Sequence, residues 1–198
     1  VSIFSNTDKI MIAHFLDSKA VGFYSLAFSL ANMTGFFFSA IIDSFRPQIL
    51  EAGKASDDLF EISLKRLYFI ISCLSFFQAV FVFFFGQIVI KVLFGTDYSG
   101  AIDCLKIIAW YTTFSYIGAV NAIWIVAKNN QRFLLPQNIV GSLLNIILNL
   151  ILIPSFGIEG AAVATLITQF SSNVLLFVII PQLRPCFKLM GNSFSVGI

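Results

Sequence analysis

NIILNLILIPSFGIEGAAVAT, residues 145–165, reads as an apolar helix stopped by Pro154, a turn over residues 155–159, and a second helix opening on small side chains. Proline lacks a backbone donor and clashes with the turn before it, so it closes the first helix. Asn145 and Asn149 are four residues apart and share one helix face. Gly157, Gly160, Ala161 and Ala164 give the second helix a smooth side that a neighbouring helix can approach closely. Two amides on an apolar run of membrane length are costly unless they meet partners or line a wet path. The stretch therefore describes a multi-span membrane protein with a polar interior.

Composition agrees with that reading. Hydrophobic residues make up 58% of the 198 and charged residues 11%, where a soluble domain carries about a quarter charged. One aqueous core of this size cannot hide so much apolar surface. A net charge of +2 with scattered basic residues gives no argument for nucleic acid, and no nucleic-acid partner is expected. Cys73, Cys104 and Cys186 fall on separate segments without metal spacing, and Cys73 is expected as a packed free thiol. The start has no basic region and no small-residue cleavage site, so a cleavable signal peptide is not expected. It also lacks an initiator Met, and the chain is expected to begin partway into a longer protein.

Working outward, hydropathy gives six spans: residues 1–16, 20–42, 67–93, 105–127, 133–153 and 158–180. The last five have the roughly 20 residues a helix needs to cross about 30 Å of hydrocarbon. The first is short and looks clipped. None alternates in polarity as barrel strands do. An all-α integral membrane protein, a six-helix transmembrane bundle, is the expected fold, with residues 1–183 as the bundle and 184–198 as a cytoplasmic tail.

Loop charges set the orientation. With the chain entering from the cytoplasm, that side holds Arg46, Lys54, Lys65, Arg66, Lys128, Arg132, Arg184 and Lys188, against Lys19, Lys91 and Lys106 opposite. This is a positive-inside bias, and it puts both ends of the segment in the cytoplasm. The longest cytoplasmic connection, residues 44–66, is polar and helix-compatible, with Leu59, Phe60, Ile62 and Leu64 expected to lie on the membrane surface. Across the bilayer, residues 94–104 read as a Gly-rich turn followed by an amphipathic helix start.

Ala27, Ala31, Gly35 and Ser39 recur every fourth residue in the second span, a small stripe expected to pack against a neighbouring helix. Trp110, Tyr111, Tyr116 and Trp124 in the fourth span read partly as interfacial anchors. Phe36, Phe37, Phe38 and the run from Phe81 to Phe85 are expected to face lipid.

Chemistry must come from polar groups at membrane depth. The first span carries Asn6, Asp8, Lys9 and His14. Such groups are rare and usually face a cavity or each other. Asp8 and Lys9 are adjacent and point about 100° apart, so Asp8 is expected to meet a partner on another helix. His14, the single histidine, sits near a helix end; it reads either as a wet terminus or as a proton-coupling group. Asn121, Gln169 and Asn173 add amides, the last two four residues apart. Asn145 and Asn149 stay open between interhelical hydrogen bonds and ligand contact. No GxSxG, HExxH or Walker loop is present, and one histidine excludes a multi-histidine metal site. Neither catalysis nor a cofactor is expected.

Four stretches carry a family resemblance: TDKIMIAHFLDSKAVGFYSLAFSLAN, FRPQI, KVLFGTDYSGAIDCLKIIAW and NIILNLILIPSFGIEGAAVATLITQ. Together the chain resembles the C-terminal half of a polysaccharide flippase of the multidrug/oligosaccharidyl-lipid/polysaccharide exporter superfamily, closest to O-antigen and related repeat-unit translocases. The resemblance implies one lobe of a two-lobe, roughly twelve-helix transporter in the bacterial inner membrane. Its substrate would be an undecaprenyl-diphosphate-linked oligosaccharide, flipped from the cytoplasmic to the periplasmic leaflet by alternating access, with the N-terminal lobe of the same protein and membrane lipid as partners. Family cavity charges map onto Asp8 and Lys9; no other Lys or Arg sits clearly mid-span, a departure from a strongly basic cavity. Two other readings stand beside it: an ion-coupled multidrug or small-molecule antiporter of the same superfamily, and a non-transporting membrane scaffold.

Overall fold

The computed structural model describes residues 2–195, and every regular element among them is helical. Val1, the first residue of the expected first span, lies outside the described residues. The main helices are α1 (Ser2–Phe15), α2 (Ser18–Asn32), α3 (Gly35–Ala55), α4 (Asp57–Phe94), α5 (Ile102–Ala127) and α6 (Leu134–Phe170). A π-helical turn (Ser171–Leu175), α7 (Leu176–Ile179) and α8 (Arg184–Gly191) follow. Three continuous stretches are long and apolar enough to cross a bilayer by length and composition: Ser18–Ala55, Asp57–Phe94 and Gln131–Ile179.

The last of these is two rods. At Gly157 the backbone takes φ 62° and ψ −138°, a conformation open to glycine and strained for other residues. The chain reverses there, so residues 134–156 and 158–179 run antiparallel. Pro154 does not stop the helix, as its sequence position implied; the helix runs through it to the glycine. The reversal brings Gly160 against the Leu152 carbonyl so closely that a β-carbon would overlap it. With α1, the α2–α3 pair, α4 and α5, this makes six rods at the positions of the six expected spans.

The second span is longer than expected and broken. Met33 and Thr34 separate α2 from α3, and α3 continues through Pro47 to Ala55. The expected surface connection is therefore mostly helix. Only Ser56 turns the chain, and its hydroxyl caps α4 by accepting from the Asp58 amide at 3.2 Å. α4 is 38 residues long, or about 57 Å, well beyond the roughly 30 Å of a bilayer's hydrocarbon. Leu59 and Ile62 are exposed in its first turns, whereas Phe60 and Leu64, expected on the membrane surface, are buried against other helices.

The α2–α3 break also interrupts the small stripe. Ala27 and Ala31 are fully buried, but the break rotates Ser39 out to an exposed face. It frees the Ala31 carbonyl, which accepts from the Gln78 Nε2 of α4 at 3.0 Å. In lipid a freed carbonyl must be satisfied by protein. Gln78→Leu should therefore lower stability by about 1–2 kcal/mol, read as a lower midpoint in detergent unfolding; an unchanged midpoint would assign the break another support.

α5 is the central rod, buried on several faces, which explains why three of its four expected interfacial anchors are not anchors; the fourth, Trp110, is half-buried against Phe76. Tyr111, Tyr116 and Trp124 lie in the interior, and Phe38, expected toward lipid, stacks on Tyr116 with ring centroids 4.0 Å apart. Phe36, Phe37, Phe81, Phe83, Phe84 and Phe85 are exposed on the bundle surface. Cys73, expected as a packed thiol, is exposed as well. Residues 96–101 form a 3-10 turn that leads into α5 after Gly95, whose φ is 85°. α8 folds back on α4, burying Cys186 and Leu189.

Candidate functional site

The helix pattern places Asp8 in the middle of α1, facing inward. It is fully buried. Tyr24 of α2 donates to Asp8 Oδ2 at 2.6 Å, and Thr165 donates to the same oxygen at 2.7 Å. Asn149 Nδ2 donates to Oδ1 at 2.6 Å. The second hydrogen of that amide reaches Asn145 Oδ1 at 3.2 Å, and Asn145 Nδ2 lies 3.5 Å from Thr165 Oγ1. Thus α1, α2 and both arms of the α6 hairpin converge on one carboxylate.

The hairpin explains how. Asn145 and Asn149 share a face, and the reversal at Gly157 sets Thr165 opposite them across the contact made by Gly160, Ala161 and Ala164. Small residues let the two arms close until amide and hydroxyl reach the same acid. Asn149 Oδ1 is left buried without a partner.

All of Asp8's hydrogen-bond partners are neutral. The ion pairs among the described residues lie elsewhere, at Arg46–Asp43, Lys65–Glu61, Lys106–Asp103 and Lys128–Asp57. A carboxylate sealed among neutral donors in a low-dielectric interior is costly to keep charged.

A second polar chain runs across the bundle. Tyr68 of α4 donates to Asn121 Oδ1 at 2.6 Å and lies 3.1 Å from the Cys186 sulfur. Asn121 Nδ2 donates to the Asn173 carbonyl at 2.9 Å, and Asn173 Nδ2 to Gln169 Oε1 at 2.8 Å. Gln137 reaches the Ser172 carbonyl at 2.9 Å and Asn173 Oδ1 at 3.3 Å. The π-helical turn at residues 171–175 exposes these carbonyls, because its wider winding breaks the regular i→i−4 pattern.

The candidates from sequence therefore separate. Asp8, Asn145 and Asn149 meet in the first cluster, Asn121 and Gln169 in the second. Asn6 and His14 are exposed on α1, and Lys9 is half-buried; none of the three joins Asp8. Tyr24, Thr165, Tyr68 and Gln137 are site residues that sequence reasoning did not single out as such. Tyr24 and Thr165 do lie inside the stretches that carried the family resemblance, which was the one available signal.

Comparison with known proteins follows the same lines. A family profile described as "Polysaccharide biosynthesis protein" matches residues 1–103. The chain is 28% identical over 174 residues to a probable low-salt glycan biosynthesis flippase of Haloferax volcanii, covering 87% of the chain and 37% of that protein. An uncharacterized membrane protein of Methanocaldococcus jannaschii is 28% identical over 173 residues, covering 85% of the chain and 39% of its own length. The chain thus spans less than two-fifths of the curated relatives it matches. No solved structure matches. Apolar helices and membrane-protein relatives together make this a multi-pass membrane protein.

Proposed function

Since the chain belongs to the polysaccharide biosynthesis protein family, we propose that it forms one lobe of a two-lobe transporter that flips a lipid-linked oligosaccharide across the cell membrane. Movement between leaflets is by alternating access, and the lipid carrier is a polyprenyl diphosphate. The basic connections and the tail face the cytoplasm by the charge bias. A relative named as a probable glycan biosynthesis flippase supports the reading.

The observation that carries it is Asp8. A sugar-diphosphate head group cannot cross hydrocarbon unaided, and a transporter needs a centre whose state differs between inward- and outward-facing forms. Asp8 joins α1 and α2 to both arms of the hairpin, so gaining or losing a positive charge there changes how these rods hold together. That supports coupling of translocation to a proton or cation. The same feature favours one alternative, an ion-coupled small-molecule antiporter of the same superfamily.

The test is transbilayer movement in proteoliposomes containing the complete protein as its gene encodes it. A fluorescent polyprenyl-diphosphate oligosaccharide should become accessible to an external glycosidase faster than in protein-free vesicles, whereas residues 1–198 alone should be inert. Movement no faster than in protein-free vesicles, together with efflux of a cationic dye, would replace the flippase reading with the antiporter.

A further inference from the structure

The second polar chain ends in an open cleft of about 240 Å³ between α5, the start of α6 and the π-helical turn. Gln137, Asn138, Gln169, Asn173 and Ser115 supply its polar wall. Ala119, Ala122, Ile125 and Leu134 supply an apolar one. None of the residues that line it is charged.

Three features mark the amides of this cleft. Gly118 lies so close to the Asn173 amide that any β-carbon there would overlap it; only glycine lets Asn173 take its seat. Gln137 spends its amide hydrogens on Ser172 and Asn173, and its Oε1 is left buried with no partner. A π-helical turn, a device found mostly at functional positions, forms the cleft's edge.

We propose that this cleft is a sugar subsite, taking one uncharged, hydroxyl-rich ring of the glycan head group. The choice of a sugar rests on the translocation reading above. Amides offer donor and acceptor side by side, which is what a row of hydroxyls requires, since each hydroxyl both donates and accepts. The alanine and leucine wall suits the C–H face of a pyranose. A phosphate would call for cations or free backbone amides, and a lipid tail would leave the polar wall of the cleft without hydrogen-bond partners. The volume lies below the roughly 300–1,000 Å³ of drug-sized ligand sites, which limits the occupant to about one ring.

Saturation-transfer NMR on the complete protein in nanodiscs tests this, with methyl glycosides of neutral hexoses and N-acetylhexosamines, and methyl glucuronide as the charged control. At least one neutral glycoside should take saturation, and the glucuronide should take less. Asn138→Leu, at an exposed position, removes an amide without touching the core, and Ala122→Phe fills the space. Each should weaken binding about tenfold, the loss of roughly 1.4 kcal/mol, while Gly22→Ala, where an added β-carbon meets nothing within 4 Å, leaves it unchanged. No saturation above empty nanodiscs, preference for the glucuronide, or full binding in both variants would overturn the subsite. Neutral glycosides bound in the cleft without any flipping of lipid-linked sugar would uphold the subsite and sink the translocation reading; the reverse pattern would remove the subsite alone.

Discussion

Asp8→Asn in the complete protein is expected to cut surface glycan roughly ten- to hundred-fold while the protein stays at its normal level in the membrane. The substitution keeps size and shape. Its oxygen can still accept from Tyr24 and Thr165, whose hydroxyls both point at Oδ2. The new amide would face Asn149 Nδ2, which now donates to Oδ1 at 2.6 Å, setting donor against donor. A hydrogen bond to a charged group contributes about 1.5–3 kcal/mol, which is the stated range of fold-change at about 1.4 kcal/mol per factor of ten. More important, the variant can no longer take up or release a charge. Surface glycan is read by lectin or antibody staining against a membrane blot of the protein. Unchanged glycan would show that Asp8 is a structural acid only, and the coupling role would fall.

Gly160→Ala should be the most damaging small substitution in the chain. The hairpin arms approach until Gly160 rests on the Leu152 carbonyl, backbone against backbone. A rotamer change cannot relieve that contact, so the arms must separate. Separation pulls Thr165 away from Asn145 and Asp8, and leaves buried polar groups unpaired at about 1–3 kcal/mol each. The expected result is a loss of several kcal/mol, seen as little folded protein by fluorescence-detected size exclusion. The matched control is Gly22→Ala, where an added β-carbon meets nothing within 4 Å. A normal elution profile for Gly160→Ala would mean that the arms sit farther apart than described.

These two residues differ in how far sequence alone reaches them. Gly160 was legible: a glycine followed by alanines after a turn on an apolar helix signals close approach, because only small residues permit it. Asp8 was legible as costly at membrane depth, and as needing partners. Those partners were not legible. Tyr24 is 16 residues away, while Asn149 and Thr165 are 141 and 157 away, and no local spacing relates positions so distant. Asn145 and Asn149 were recognisable as a pair on one face, but not as belonging with Asp8 and apart from Asn121 and Gln169.

The break between α2 and α3 shows another limit. Met33 and Thr34 are ordinary residues for a helix, so hydropathy draws one rod through them. The carbonyl freed by the break is met by Gln78, on a different helix. The aromatics of α5 were misjudged for a related reason. A tyrosine or tryptophan near a span's end is the same letter whether it meets headgroups or a neighbouring rod, and only the position of α5 at the centre decides.

By itself, then, the sequence determined that the chain is helical and that its apolar length falls into six rods, though not where the second rod ends or the third begins, because lipid accepts a spanning chain only as continuous apolar length with its backbone bonds closed within it. It also marked a turn at residues 155–159, but by a proline stop and with Gly157 on the face of the next helix; the reversal falls at Gly157, whose backbone glycine alone adopts without strain. Tertiary structure decided which polar groups share a centre. That depends on rotations and depths of separate rods, fixed by packing contacts spread over the whole chain rather than by any local pattern.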